Sequence, residues 1–420
     1  MGYKTAPTSN RVHLIHLHRL SALQRAACER LRAEAGRCWT DLVAAHVANR
    51  DQGVWLKEAD LKQMSKGGMY RLHSQSVQAL AEKLIANLDT ARALRKQHAE
   101  AGLLVEAQYP YKPKPYQTVT WKDQAVRRGR GTVILPNGRG QADLVLPLPK
   151  RLHAMSIRKV ELLWRADHYE LALTVEIPNE LGERTPGPTV GVDLGEINIA
   201  AAVTNSGQGL VINGRYLRSI KRLRNKCHAE LTRKRAWCVE GSRRWTRLNA
   251  AKARASATFY RQQRHVLHTA SARLIRWIDR CAGSHIAVGD VRDIADGTDN
   301  GRKQNQKLSQ WAHGQFVGYL TYKARRLGMT VNQIDEAYST RTCSACGWCH
   351  ARSSRGRVFR CQQCQSVLHR DANGAANICS KAITGVYGNV QPVTTMYRRA
   401  TDVAPRTRAT LLRERVAGQP

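Results

Sequence analysis

The sequence predicts a multidomain α+β protein in which a metal-binding hairpin is inserted near the end of a C-terminal α/β domain. Three observations support this fold class. The apolar period changes from strand to helix and back before residue 178, and a segment rich in Pro and Gly follows over 178–188. Two Cys-x-x-Cys pairs then stand between a predicted strand and a predicted helix. A chain of 420 residues has room for two or three domains with separate cores.

The N-terminal half combines strands with a helical insertion. Residues 11–20 alternate apolar and polar side chains, as a strand does, whereas residues 22–99 have the apolar spacing of two or three helices interrupted near 66–68. Further strands are predicted over 132–135, 144–146, 157–165 and 169–177. We expect these strands to close with the first one into a small β-barrel. Residues 179–189 would then link this half to the next.

The C-terminal half has the element order of a ribonuclease-H-like fold. From residue 190 on, the patterns predict strand, strand, strand, helix, strand, helix, strand and helix. In that fold, acids at the ends of the central strands meet an acid on the last helix, and two divalent cations there hold the scissile phosphate. Asp193 ends the first strand and Asp371 begins the last helix, so both are candidate magnesium ligands.

The charge of the chain indicates a polyanionic partner. Lys and Arg number 68 against 32 acids, and the formal charge of +36 is spread over the whole length. Each phosphate contact releases a counterion, so nucleic acid is the natural partner for such a surface. The basic stretch 216–280 predicts a helical hairpin, broken near Gly241, that lies along a nucleic-acid backbone. The sequence shows neither a signal peptide nor a membrane span, and we expect a cytoplasmic protein at the nucleoid.

The two cysteine pairs predict a zinc site. Fourteen residues separate the first pair from the second, a spacing that brings four thiolates to the corners of a tetrahedron. The candidate zinc ligands are Cys343, Cys346, Cys361 and Cys364. Disulfides are the alternative, but a reducing compartment favours metal. The neighbouring Cys349 and His350 could compete as ligands.

Three motifs resemble one family, the RuvC nuclease domain of TnpB transposon-encoded proteins and of the compact type V CRISPR effectors. They are GVDLG at 191–195, CSACG at 343–347 with CQQC at 361–364, and HRDANGAANI at 369–378. The layout of the N-terminal half is similar to the wedge and recognition domains of that family. The resemblance implies an RNA-guided DNA endonuclease with two Mg²⁺ or Mn²⁺ ions, one structural Zn²⁺, a guide RNA and a target DNA.

The resemblance also implies a domain plan. The ranges are 1–20 for the first wedge strand, 21–100 for the helical recognition domain, 101–178 for the wedge β-barrel, 179–189 for the linker, 190–337 for the first part of RuvC, 338–368 for the zinc ribbon, 369–385 for the final RuvC helix and 386–420 for a basic, poorly ordered tail.

The third acid departs from the family pattern. The family carries a glutamate at the end of the fourth strand, where this chain has Gly289 followed by Asp290. Since strand side chains alternate, Asp290 should face away from the site. Glu336, at the end of the neighbouring fifth strand, is the better substitute, so we expect Asp193, Glu336 and Asp371 to form the catalytic magnesium site. Asp290 is the alternative third acid, and an empty third corner is a further alternative.

Three functions therefore compete. The first is a guided, Mg²⁺-dependent DNA nuclease. The second is a guided DNA-binding protein that cleaves weakly or not at all and acts as a repressor, which the missing glutamate would explain. The third is an unguided basic zinc protein that binds nucleic acid.

Overall fold

The computed structural model describes residues 8–102, 107–138, 140–178, 184–292, 301–352, 356–390, 392 and 394–400. The chain divides into two compact units, Met1–Asn179 and Glu180–Pro420. Some predictions fall on positions outside the described residues: the first part of the linker, the middle of the cysteine hairpin and the last twenty residues of the tail.

Three α-helices form the helical part of the first unit, as far as its residues are described. They are α1 (Ala22–Asp51), α2 (Glu58–Met64) and α3 (Ser74–Glu100). α1 begins at a capping box: the Ser21 side chain accepts a hydrogen bond from the Gln24 backbone N–H, and the Gln24 side chain accepts one from the Ser21 backbone N–H. The apolar side chains of the three helices join one core with the strands of this unit, and Trp39 and Leu84 are among the fully buried ones. The helical period read from the sequence is confirmed here.

Seven strands complete the described part of the first unit. They are β1 (Thr8–Leu17), β2 (Val119–Lys122), β3 (Arg127–Gly129), β4 (Thr132–Leu135), β5 (Leu144–Pro147), β6 (Ser156–Trp164) and β7 (Tyr169–Pro178). One sheet has the order β1-β7-β6-β2 and a second has the order β3-β4-β5. The long strands β1 and β7 pair in antiparallel register over their whole length, with Thr8 opposite Pro178 and Leu17 opposite Tyr169.

The predicted β-barrel is wrong. β1 and β2 are the two edges of the four-stranded sheet, so that sheet stays open, and β3 to β5 form a separate sheet. The physical reason is that two short strands, β2 and β3, which the sequence pattern did not predict, take up the pairing edges of the longer ones. β2 rather than β4 pairs with β6, and β3 pairs with β4. Closure requires every strand to find two neighbours, and edge strands here have one.

The second unit is built on a six-stranded mixed sheet. Its strands are β8 (Thr189–Leu194), β9 (Asn198–Thr204), β10 (Gln208–Asn213), β11 (His285–Asp290), β12 (Thr330–Asp335) and β15 (Thr394–Arg399), in the order β12-β11-β8-β9-β10-β15. β8, β9 and β10 pair antiparallel, whereas β8, β11 and β12 are parallel, so their carboxyl ends meet at one edge. Two short strands, β13 (Val358–Arg360) and β14 (Val367–His369), belong to the cysteine hairpin.

Five α-helices of the described chain surround this sheet. They are α4 (Arg215–Ala236), α5 (Arg243–Arg280), α6 (Arg302–Ser309), α7 (His313–Arg325) and α8 (Arg370–Thr384). The predicted break of the basic hairpin near Gly241 is confirmed, since α4 ends before this glycine and α5 begins after it. α8 is almost entirely buried from Asp371 to Ser380. Across the described residues, every helix is too short or too polar to span a bilayer.

The tail contains an unpredicted strand. β15 pairs in parallel with β10, from Gln208 opposite Thr394 to Asn213 opposite Arg399. Its sequence TTMYRR suits an extended edge strand, but only two of its residues are apolar and its arginines gave the appearance of an unstructured basic segment. The expectation of a poorly ordered tail is therefore wrong for residues 394–399.

Candidate active site and zinc ribbon

Asp193 lies at the carboxyl end of β8 on the face that α8 covers. Only 9% of the residue is exposed. Gly191, two residues earlier and so on the same face, allows the helix to approach: a Cβ there would lie 2.1 Å from the backbone oxygen of Ala375. Gly374 of the helix leaves room in turn for Asp193, whose Oδ2 would lie 2.9 Å from a Cβ at that position. Close strand–helix packing therefore fixes where this carboxylate points.

Asp371 is the second residue of α8, which begins one residue earlier than predicted and is capped by His369. Three side chains donate to its carboxylate. The Asn198 amide does so at 2.7 Å, Arg357 at 2.8 Å and Arg370 at 3.2 Å. The two guanidinium groups balance the negative charge of Asp371, and Asn198 ties it to the start of β9.

Glu336 directly follows β12 and turns back against β11. Its Oε2 is buried and has no hydrogen-bond partner within the described part of the chain. A Cβ at Gly289 would lie 2.1 Å from this oxygen, so the carboxylate lies where a larger residue of β11 would have its side chain. Burial, together with the nearby negative charges of Asp290 and Asp335, raises the pKa of Glu336 to about 7.

The three predicted acids line one cavity of about 380 Å³. Asp193, Glu336 and Asp371 share it with Thr340, Arg357, Arg370 and the β8–β9 turn. Burial raises the pKa of Asp193 well above its ordinary value, and the negative charges of Glu336 and Asp371 raise it further. Carboxylates that repel one another in this way are stabilised by a cation between them, and carboxylate oxygens are the ligands that Mg²⁺ prefers. The donor set therefore fits a divalent-cation site.

Asp290 does not line this cavity. It is the last residue of β11, and its carboxylate makes hydrogen bonds with the backbone and guanidinium group of Arg292. Those contacts lower the pKa of Asp290. The carboxylate is thus paired with a cation of its own, away from Asp193 and Asp371.

Several residues around the site were not identified from the sequence. Gly289 was read only as a lost glutamate, but it is also the space that Glu336 fills. Asn198 and Arg357 both contact Asp371, and neither belongs to a recognisable motif. A signal for Asn198 did exist, since a polar residue at the start of an otherwise apolar buried strand needs a partner.

The four paired cysteines lie together in the hairpin between β12 and α8. Their Sγ atoms are all within 4.8 Å of one another, with Cys343 and Cys364 3.6 Å apart and Cys346 and Cys361 3.7 Å apart. Hydrogen bonds with the side chain and backbone of Ser366 lower the pKa of Cys364 to about 6. The cluster is compatible with a zinc ribbon, and it includes neither Cys349 nor His350.

Two asparagines of α8 attach this ribbon to the helix. The Asn373 amide accepts from the Ser344 backbone at 2.9 Å and donates to the Thr342 carbonyl at 2.8 Å. Asn377 donates to the carbonyls of Ser339 and Thr342. Both asparagines therefore hold the backbone of residues 339–344 against α8. Because Arg357 lies between the two cysteine pairs and also contacts Asp371, the ribbon reaches the acidic cavity itself.

The helices α4 and α5 form a strongly basic hairpin. Contacts across it include Arg235 with Asn249 at 2.6 Å and Lys252 with Thr232 at 3.1 Å. α4 has a single acidic residue, Glu230, which pairs with Lys234. Its positive charge therefore far exceeds its negative charge, and the hairpin is a candidate nucleic-acid interface.

Two sequence families match parts of this chain. Residues 172–295 match a family described as "Probable transposase", OrfB of IS605. Residues 313–378 match one described as "Cas12f1-like, TNB domain". The second match spans α7, β12, the cysteine ribbon and the first half of α8.

Curated relatives match over shorter stretches. "Putative transposase R186" of Acanthamoeba polyphaga mimivirus is 29% identical over 153 residues, which are 36% of this chain and 31% of the relative. "CRISPR-associated endodeoxyribonuclease Cas12f1" of Sulfoacidibacillus thermotolerans is 32% identical over 72 residues, 17% of each chain. "TnpB-like protein ORF457" of Acidianus two-tailed virus is 28% identical over 127 residues, 30% of this chain and 26% of the relative. The chain thus spans less than a third of the length of these three relatives.

One solved structure is similar over most of the chain. It is described as a cryo-EM structure of the Cas12f1–sgRNA–target DNA complex, and its TM-score is 0.63 at 10% identity, with 86% of this chain and 83% of that chain covered. The likeness shows a mixed α/β fold of the compact type V effector kind. Together with the family matches, it confirms the resemblance to TnpB proteins and compact type V effectors that the motifs indicated.

Proposed function

We propose that this protein is an RNA-guided DNA endonuclease that cleaves by two-metal phosphodiester hydrolysis in a RuvC-type site. The single observation that carries the proposal is the convergence of Asp193, Glu336 and Asp371 on one cavity. Among them, Glu336 keeps an oxygen that no described residue uses. A buried acid without a partner is costly in a purely structural role, and it is what a cation ligand requires before the ion binds.

The three acids would hold two Mg²⁺ or Mn²⁺ ions. When bound, such ions supply an activated water on one side of the scissile phosphate and stabilise the leaving oxygen on the other. Asp193 would bind from the end of β8 and Glu336 from the end of β12, the two strands on either side of β11, and Asp371 would bind from α8. Arg357 and Arg370 line the same cavity and can contact the phosphate oxygens once Asp371 binds the metal.

The partners we propose are a guide RNA and a target DNA. The charge of +36 favours binding along a phosphate backbone, and the hairpin of α4 and α5 presents cations over two long helices. Relatives and structural neighbours carry such activities in their descriptions, which supports the proposal by analogy. A DNA-bound protein of this charge would be found at the nucleoid.

The proposed domain plan follows the resemblance. Residues 1–20 and 101–178 would form the wedge, 21–100 the recognition domain, 190–337 with 369–385 the nuclease domain, and 386–420 the C-terminal segment. Residues 338–368 would be a ribbon holding one structural Zn²⁺ through Cys343, Cys346, Cys361 and Cys364.

A guided binder without cleavage is the second candidate. Gly289 at the position of the family glutamate favours it, because the usual ligand on the fourth strand is absent. In that case Glu336 would be a buried acid without a catalytic role. An unguided nucleic-acid-binding zinc protein is the third candidate.

Plasmid cleavage separates the first two functions. The wild type should cleave a plasmid carrying the guide-complementary target in Mg²⁺, and Asp193→Ala and Asp371→Ala should be inactive. Glu336→Ala should lose several kcal/mol of transition-state stabilisation, more than about a hundredfold in rate. Asp290→Ala is the matched control, an acid removed one strand away, and should keep activity. Normal cleavage by Glu336→Ala would refute its assignment, and an inactive wild type that still binds target would favour the repressor.

The sequence of the RNA that co-purifies with the chain distinguishes the third function, an unguided nucleic-acid binder, from the two guided functions. A guided protein retains one or a few discrete RNA sequences, whereas a general binder carries a mixture. Sequencing of the bound RNA also supplies the guide from which the target plasmid is designed. A mixed population in the presence of intact protein would refute guidance.

A further inference from the structure

A second cluster of metal-ligating atoms lies in the first unit. His16 Nδ1 is 3.2 Å from His168 Nε2 and 3.2 Å from Glu170 Oε1, and the last two atoms are 3.4 Å apart. The Glu170 side chain is fully buried, while that of His16 is 33% exposed and that of His168 14%. Three ligand atoms therefore form a nearly equilateral triangle over a buried carboxylate, and one side is open to solvent.

The strand pairing brings these residues together. His16 of β1 lies directly opposite Glu170 of β7 in the antiparallel register, although they are far apart in sequence. His168 belongs to the turn between β6 and β7, which a hydrogen bond from the Arg165 backbone to the His168 carbonyl closes. Two rigid elements thus hold the three side chains, as a preorganised metal site requires.

The size of the triangle matches one face of a zinc tetrahedron. With ligands about 2.0 to 2.1 Å from the ion, neighbouring ligand atoms lie roughly 3.3 Å apart. We infer that His16, His168 and Glu170 bind a divalent transition-metal ion, Zn²⁺ by the chemistry of two imidazoles and one carboxylate, with water as the fourth ligand. The ion would join the end of β1 to the β6–β7 turn.

Outer contacts are those of a metal site. Asp167 Oδ1 lies 2.6 Å from His168 Nδ1, so this carboxylate accepts a hydrogen bond from Nδ1–H. In that tautomer, Nε2 is the ring nitrogen that can bind a metal ion. Arg165 donates to Glu170 Oε2 at 2.8 Å, which balances charge and leaves Oε1 facing the two imidazoles.

The alternative is a cluster held by hydrogen bonds alone, in which a proton on an imidazole takes the place of the ion. Metal content distinguishes these two states.

The test is the zinc content of the full-length chain, freed of nucleic acid and dialysed against metal-free buffer. Mass spectrometry of the metal should give two zinc ions per wild-type chain. His168→Gln and Glu170→Gln should each retain one, and the double variant Cys361→Ser/Cys364→Ser should retain the other. His153→Gln, a histidine of the same unit that bonds the Leu148 carbonyl, is the matched control and should retain two.

A direct titration keeps the inference testable where a variant fails to fold. Wild-type chain stripped of the second ion, with its ribbon still filled, should bind one equivalent of Co²⁺ with ligand-field absorption and no thiolate charge-transfer band. One zinc per wild-type chain, lost only in the cysteine variant and without uptake of added Zn²⁺ or Co²⁺, would overturn the site. Neither measurement depends on DNA cleavage, so the test of this metal site is independent of whether the protein is a nuclease.

Discussion

The ends of two neighbouring strands, β11 and β12, carry acids in very different states. Asp290 and Asp335 are register partners, and each is paired with a cation, Arg292 for the first and Lys381 for the second. The Arg292 guanidinium lowers the pKa of Asp290, whereas the Ala337 backbone N–H and then Lys381 lower the pKa of Asp335. Glu336 directly follows β12, and its Oε2 has no hydrogen-bond partner among the residues that the structure describes. Burial raises the pKa of Glu336 to about 7. Of the three acids at these two strand ends, Asp290 and Asp335 thus form ion pairs, and Glu336 is the acid available to bind a cation.

Register and space explain the division. Gly289 lies opposite Ile334, so Glu336, two residues beyond Ile334, returns to the same face of the sheet as the glycine. The glycine leaves that face empty, and the carboxylate fills it. If Glu336 is the third acid, as we propose, then the third acid of such a site need not stay on one strand. It can be supplied by whichever neighbour reaches the same volume.

The sharpest test moves the acid back to β11. In the double variant Gly289→Glu/Glu336→Ala, the carboxylate would come from β11, and it would occupy the space that the Glu336 side chain leaves empty. We expect cleavage to recover by at least about tenfold over Glu336→Ala alone, a gain of roughly 1.4 kcal/mol in transition-state stabilisation. Plasmid cleavage rates measured at saturating Mg²⁺ check this.

A control with the same shape but no charge accompanies it. Gly289→Gln/Glu336→Ala fills the space equally and cannot ligate as a carboxylate, so it should stay as slow as the single variant. Equal recovery in both double variants would mean that packing, and not a metal ligand, was restored.

A smaller effect is expected from Gly289→Ala. The new Cβ would meet the end of the Glu336 side chain, which can move, so stability should fall by only about 1 kcal/mol. The displaced carboxylate should slow cleavage by about tenfold while target binding is kept. Thermal unfolding, a binding assay and a cleavage assay on the same preparation separate these quantities.

Gly191→Ala is the contrasting variant. Its Cβ would meet the backbone oxygen of Ala375, which cannot move without shifting α8, so the unfolding free energy should fall by about 3 kcal/mol. If Gly289→Ala proved as destabilising as Gly191→Ala, the empty space at β11 would be a packing feature of the fold and not a place for an acid.

These contrasts also show what the sequence could predict. Motifs that are continuous in the chain could be placed, because spacing alone determines their local geometry. The cysteine pairs and the strand that carries Asp193 are of this kind. Features that depend on pairing between distant segments could not. The fit of Glu336 to Gly289 could be proposed from strand order, but the space itself exists only once the register is known.

The errors have the same origin. The apolar pattern predicts strands but not their neighbours, so it cannot show that β1 and β2 are the edges of an open sheet. β15 was missed because its partner β10 lies almost two hundred residues earlier, and an edge strand with exposed arginines lacks an apolar period. The cluster of His16 and Glu170 was likewise invisible, since only the pairing of β1 with β7 makes them neighbours.

The smallest effect is expected at Asp335. Its side chain is 72% exposed, and Asp335→Asn keeps the acceptor for the Ala337 backbone at the turn. Lys381 retains its bond to the Asp335 carbonyl at 2.9 Å, so the unfolding free energy should change by less than about 1 kcal/mol. Cleavage should stay within about twofold of wild type. A loss of cleavage as large as that of Glu336→Ala would mean that the exposed acid, and not the buried one, completes the site.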